Sequence, residues 1–372
     1  MKIGVPREIK NREYRVGMTP AAVQELTGHG HDVLVQSGAG NAIGFSDEDY
    51  RQAGASVVDD ATEVFRASEL IVKVKEPQAE ERALLTPEHT LFTYLHLAPD
   101  KAQTDDLVNS GATCIAYETV TDRAGRLPLL APMSEVAGRM SIQAGAHCLE
   151  KALGGRGVLL GGVPGVSPAR VAVVGGGVVG QNAIAMAVGL GAQVTVLDRN
   201  LDVLRALDQH YGNRITTLFS TAQTLDETVT AADLVIGSVL IPGASAPKLI
   251  TRDMVRRMPE GSVIVDVAID QGGCAETSRA TTHDDPVYLV DGVVHYCVAN
   301  MPGAVARTST LALNNATLPF VIALANKGPD RAMKEDPHLR TGLNVTAGKV
   351  TYREVAEATG HPYTNPESLL GS

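Results

Sequence analysis

Three glycines and one aspartate carry the sharpest chemical signal in the chain. In ARVAVVGGGVVGQNAIAMAVGLGAQVTVLDRN an apolar β-type run meets Gly175, Gly177 and Gly180, a helix of small residues follows, and a second β-type run ends at Asp198. A GxGxxG is common in glycine-rich turns, but the strand before it and the helix after it make it a dinucleotide fingerprint. The first glycine permits the tight turn, the second lets the backbone approach a pyrophosphate, and the third lets helix and strand pack closely. The pyrophosphate would rest on the helix N-terminus, where free N–H groups and the positive dipole end meet it. Asp198 would accept hydrogen bonds from the adenosine ribose and repel a 2′-phosphate, which selects NAD over NADP. The neighbouring Arg199 is the countersign, since a basic residue there can accommodate that phosphate.

A dinucleotide that exchanges hydride with a small acid needs a carboxylate anchor, a polarising group and an acid/base near working pH. Arg15, in PREIKNREYRVGMTP, offers a guanidinium fork for a carboxylate; its position alone reads as a solvated surface charge, because arginine is mostly exposed. Lys75 ends LIVKVKEP, at the carboxyl edge of a strand where open α/β sheets bind ligands. Lys73 shares its parity and is the rival. His96 ends LFTYLHLAP and is the side chain readiest to exchange a proton near neutral pH, although a core histidine bonded to a backbone carbonyl is the better reading from position alone. SVIVDVAIDQGG places Asp266 inside a buried-looking strand and Asp270 just past its end, facing a cofactor. No histidine and carboxylate spacing suits a metal.

These residues require a frame of strands and helices. Lys2 to Pro6, His31 to Gln36, Leu70 to Lys75, Leu91 to Leu95 and Thr113 to Tyr117 read as strands, with helices starting near Thr19, Ser46, Thr62 and Pro99. That alternation predicts a parallel sheet flanked by helices. Ser134 to Leu153 reads as one long helix, and the Gly- and Pro-broken segment 155–168 as a connector. A second series, Arg170 to Val174, Gln193 to Leu197, Leu234 to Ser238, Ser262 to Val267 and Val293 to Val298, predicts a second sheet of the same class. Thr308 to Lys327 and the tail beyond it read as helical, packing back onto the first domain.

Composition agrees with two such cores. The chain has 372 residues, 44% of them hydrophobic and 20% charged, so it is too long for one ordinary core and too apolar for disorder. Its formal charge of −10 has the wrong sign for a nucleic-acid surface. No secretory signal and no unbroken membrane-length apolar run is visible, which suggests a cytoplasmic, non-membrane protein. Cys114, Cys148, Cys274 and Cys297 are far apart and read as isolated buried thiols.

Taken together, IGVPREIKNREYRVGMTP, LIVKVKEP, TYLHLA, PLLAPMSEVAGRMSIQAGA, the glycine segment, LVIGSVLIPGASAPKL, VIVDVAIDQGGC and HYCVANMPGAVARTST resemble the alanine dehydrogenases over essentially the whole chain. The soluble NAD-binding component of proton-translocating transhydrogenase is the related alternative; it lacks the histidine and aspartate pair that this sequence has in His96 and Asp270. The resemblance implies that Arg15 and Lys75 bind substrate and that His96 and Asp270 are catalytic. It places Ser134, Val178, Asp198, Ser220, Val239 and Leu240 at the NAD site with the glycines. It adds Val267, Ala268, Ile269 and Asp270, then Arg279, and lastly Val298, Ala299, Asn300 and Met301. Val203 stands where relatives can carry a basic residue and is left out. Neither Ala323 nor Lys327 suits the metal assigned in some relatives, so none is carried over.

The resemblance further implies an NAD domain at 129–306 inserted into a substrate domain made of 1–128 and 307–372, with nicotinamide and substrate in the cleft between them. It implies reversible oxidative deamination of L-alanine to pyruvate, ammonia and NADH by a homo-oligomer, a hexamer.

Overall fold

The computed structural model describes residues 1–239 and 246–370. They form two compact units, one of Met1–Met133 with Val305–Ser372 and one of Ser134–Ala304.

The first unit holds an eight-stranded sheet in the order Lys349–Val350, Leu343–Thr346, Thr113–Ala116, Thr90–Thr93, Leu70–Val72, Lys2–Val5, Asp32–Gln36, Ser56–Val58. The last six are parallel to one another. The second unit holds seven strands in the order Val287–Val290, Val293–Tyr296, Val263–Asp266, Leu234–Gly237, Arg170–Val174, Gln193–Asp198, Ile215–Phe219. Both sheets are doubly wound, with the first strand lying between the second and the fourth. Ligands of such sheets bind at the carboxyl ends of the strands, near this reversal of order.

The expectation of purely parallel sheets is corrected at the edges. Val287–Val290 runs antiparallel to its neighbour, as do Leu343–Thr346 and Lys349–Val350. The tail is therefore not simply helical: Ala347 at φ +48° and Gly348 at φ +74° form a two-residue hairpin turn with both central residues left-handed. Ile215–Phe219 and Ser56–Val58 also went unread, because short edge strands with half-exposed faces lack a clean alternation.

The central strands are buried on both faces. Val171, Val173, Val196, Ile236 and Val265 pack into one cluster, while Ala172, Val174, Leu197, Val235 and Ile264 pack into another. Successive side chains point to opposite faces of a strand, so a continuous apolar run feeds two cores. In the first unit the strand residues Ile71, Leu91 and Cys114 pack with the helix residues Phe65 and Leu107 in one buried cluster. All four cysteines are buried and free, and burial pushes the Cys114 thiol up to about 12.

Helix starts follow their caps. Thr19, Ser46, Asp60 and Asp100 each accept a backbone N–H at the head of a helix, which moves two of the expected starts by one or two residues. The long helix spans Ala131–Cys148, and a separate 3₁₀ turn, Lys151–Leu153, follows it. The helical run Met301–Lys327 is long and apolar enough to resemble a membrane span, but Leu313, Val321 and Leu324 are buried in the protein.

Candidate active site

In the first unit the expected site residues gather where the parallel strands end. Pro6 to Arg15 follows Lys2–Val5, Lys73 to Lys75 follows Leu70–Val72, Tyr94 to His96 follows Thr90–Thr93, and Glu118 follows Thr113–Ala116. The strand expected to run to Lys75 stops at Val72, although Lys73 N–H and Tyr94 N–H continue the pairing through Phe92 O and Val74 O.

Lys73 and Lys75 separate sharply. Lys73 is fully buried, and its Nζ lies 2.6 Å from Glu81 and 3.2 Å from Glu8. Burial works against its charge, and the two carboxylates more than compensate, raising its pKa. With two acids for one base, Glu8 carries the strain: burial raises its pKa, against the opposing pull of Lys73. Glu8 Oε1 also accepts the Val74 N–H at 2.7 Å, so it braces the segment that delivers Lys75. Lys73 is an internal strut, while Lys75 is half-buried and its charge reaches Glu13 and Glu76.

Arg15 is not a solvated surface charge. It is 2% exposed, and Glu13 grips it with Nε at 2.7 Å from Oε1 and Nη2 at 2.6 Å from Oε2. Burial pushes the Glu13 carboxyl up, but the Arg15 hydrogen bonds and charge outweigh it and hold the group below the usual carboxylate range. Such bidentate pairing fixes the guanidinium plane before any substrate arrives.

His96 is not a core histidine bonded to a backbone carbonyl. Its side chain is 46% exposed, its ring stacks on Tyr94 with centroids 5.8 Å apart, and its φ is +49°. Non-glycine residues in that region cluster at functional positions.

In the second unit the fingerprint has the geometry a dinucleotide needs. Gly175 takes φ +102°, and a Cβ on Gly180 would stand 1.9 Å from Gly175 O, so only glycine fits there. A Cβ on Gly177 would meet nothing within 4 Å, leaving open space above the helix Val178–Gly189. No side chain caps that helix, and Val178 is exposed at its head. Asp198 closes its strand half-buried, with Ser220 N–H bonded to its carbonyl at 2.9 Å. These residues fit a dinucleotide: backbone donors for the pyrophosphate and a carboxylate for the ribose.

Several of the other expected cofactor residues follow strand ends at this carboxyl edge. Val239 approaches the Gly175 turn from the end of Leu234–Gly237, while Leu240 lies outside the described residues. Val267, Ala268, Ile269 and Asp270 form a 3₁₀ turn directly after Val263–Asp266, with Asp270 exposed and Ala268 and Ile269 buried. Val298, Ala299, Asn300 and Met301 follow Val293–Tyr296, and Val298 and Met301 belong to the core. Arg279 stacks over the Tyr288 ring, and Ser134 lies half-buried in the Ala131–Cys148 helix. That helix is tied to the fingerprint helix by a 2.9 Å bond from Arg139 to Asn182.

Asp266 is buried as expected, and it organises the loop beyond Asp270. Its Oδ2 accepts from the amides of Cys274 and Ala275 and from Ser278 Oγ at 2.6 Å. Glu8, Glu13 and Glu118 escaped the sequence reading. Only Glu13, two residues from Arg15, carried a local signal.

Two family models match, "Alanine dehydrogenase/PNT, N-terminal domain" over residues 4–137 and "Alanine dehydrogenase/PNT, C-terminal domain" over residues 141–353. An alanine dehydrogenase of Halomonas elongata is 64% identical over 371 residues, covering 100% of both chains. The chain belongs to the alanine dehydrogenase family. An alanine dehydrogenase of Bacillus subtilis is 54% identical over 372 residues, covering 100% of this chain and 98% of its own. A solved L-alanine dehydrogenase superposes with a TM-score of 0.94 at 51% identity, covering 97% of this chain and 99% of its own. A transhydrogenase from Sinorhizobium meliloti reaches 0.83 at 25% identity, covering 94% and 100%. Fold alone does not part the two branches of the family, but identity does. Membership of the alanine dehydrogenase family makes the chain an oxidoreductase with a dinucleotide-binding, Rossmann-like domain.

Proposed function

We propose that the chain catalyses reversible, NAD-dependent oxidative deamination of L-alanine to pyruvate and ammonia. The observation that carries this reading is the convergence of Arg15, Lys75 and His96 at one sheet edge, each braced by its own surroundings. Full-length relatives named alanine dehydrogenase support the substrate.

Bound NAD supplies a two-electron hydride acceptor. Its site is assigned to the glycine loop, Asp198 and the expected positions around them, with Asp198 selecting NAD over NADP. Arg15 holds the substrate carboxylate, and Lys75 stabilises negative charge on the oxygen of the developing carbonyl. His96 takes a proton from the water that adds to the imine carbon, and later returns it to the departing amine, a role worth about 10²- to 10⁴-fold in rate. Asp270 orients the amino group or relays its proton. The first unit serves as the substrate domain and the second as the cofactor domain. A cytoplasmic location belongs to this reading, as does a hexameric assembly, which rests on the family resemblance.

The test is NADH formation by the purified chain with L-alanine and NAD, without any partner protein. Turnover is expected, with His96→Asn reducing it at least 100-fold while NADH affinity stays within about threefold. Asn is chosen because it tolerates the left-handed backbone of position 96. NADH binding without alanine oxidation would transfer the chain to the transhydrogenase reading.

A further inference from the structure

His96 occupies a backbone conformation that its own side chain does not secure. With φ +49° and an exposed imidazole, neither propensity nor burial holds it in place. The peptide joining Leu95 to His96 is instead gripped at both ends. Gln103 Nε2 donates to Leu95 O at 2.7 Å. On the other side Glu118 Oε1 accepts the His96 N–H at 2.6 Å, and both Glu118 oxygens accept the Leu95 N–H at 3.2 Å. Hydrogen bonds to an ionised carboxylate are about twice as strong as neutral ones.

The ring is set by a second pair of contacts. It lies within 5° of parallel to Tyr94, whose hydroxyl donates to Leu129 O at 2.6 Å. The distance from His96 Nδ1 to Glu118 Oε1 is 3.9 Å, too long for a hydrogen bond. Glu118 thus hydrogen-bonds the histidine backbone and not its ring, which it meets only through charge when the imidazole is protonated.

We propose that Glu118 is a positioning residue for His96: by accepting two consecutive amides it holds the left-handed turn that aims the imidazole. The proposal rests on the reading of His96 as the proton shuttle. Glu118 reaches the reaction only through His96, so its removal should matter only while His96 is present.

A double-mutant comparison on the full chain tests this, reading alanine oxidation and pyruvate amination. Glu118→Ala is expected to lower kcat about 30- to 100-fold, leaving KM for pyruvate and the Kd for NADH within about threefold. Glu118→Gln keeps an acceptor oxygen and should recover most of the loss. Placed in a His96→Asn background, Glu118→Ala should cost less than about threefold. An equal loss in both backgrounds, or a loss under threefold in the wild type, overturns the proposal. Should Glu118→Ala fail to fold, Glu118→Asp withdraws the carboxylate by one methylene and is read by the same criteria. If His96→Asn keeps full turnover, the shuttle reading falls and takes this proposal with it; if His96→Asn is impaired and Glu118→Ala is not, only this proposal falls.

Discussion

Asp198 Oδ2 accepts a 2.7 Å hydrogen bond from the amide of Gly176, inside the glycine loop itself. The second oxygen accepts the Asn200 N–H, also at 2.7 Å. The carboxylate proposed to read the ribose is thus locked to the loop proposed to hold the pyrophosphate.

Asp198→Ala should therefore do two things at once. Kinetics with both cofactors should show kcat/KM for NAD falling by about 10-fold or more, as hydrogen bonds to a charged group and the loop brace are lost. Discrimination against NADP should fall with it, because the repelling charge is gone. Equal use of NAD and NADP by the wild type would remove Asp198 from cofactor choice.

Lys73 and Lys75 should fail in opposite ways. Lys73→Met leaves Glu8 and Glu81 buried without their cation, a loss of about 3 to 5 kcal/mol that urea unfolding would record. Lys75→Met removes a half-buried charge and should cost no more than about 1 kcal/mol. Its effect belongs in kcat, at about 10²-fold or more, where charge on oxygen goes unsupported. A catalytically silent Lys75→Met would return the role to the neighbouring segment.

Glu13 gives the site a defined acid limit. Its folded pKa lies below the ordinary 4.5, burial being outweighed by Arg15. The stabilisation from that depression is complete above about pH 4.5 and disappears as pH falls through the lower folded value. Glu13→Gln should cost about 1.5 to 3 kcal/mol at pH 7 and raise KM for pyruvate, since the guanidinium loses its fixed plane. Unfolding curves for both proteins between pH 7 and pH 3 should converge toward the acid end. A difference that stays constant with pH would show that the Glu13 charge is not what stabilises the fold.

The amino-acid order alone determined the α/β class, the position of the dinucleotide loop and the residue types able to handle a carboxylate and a proton. These are local properties: alternating apolar runs, glycine spacing and strand-end polarity are written within a few dozen residues. The tertiary structure gave Lys73 and Lys75 different surroundings, because their parity is the same and only the arrival of Glu8 and Glu81 makes one of them a strut. It also decided that Arg15 is buried and that His96 is exposed and left-handed, against the usual habits of both types. Each of those outcomes depends on a carboxylate, and Glu8 and Glu118 are brought in from other strand ends. Parallel strands that are distant in sequence terminate at one edge, and no window of sequence contains that edge.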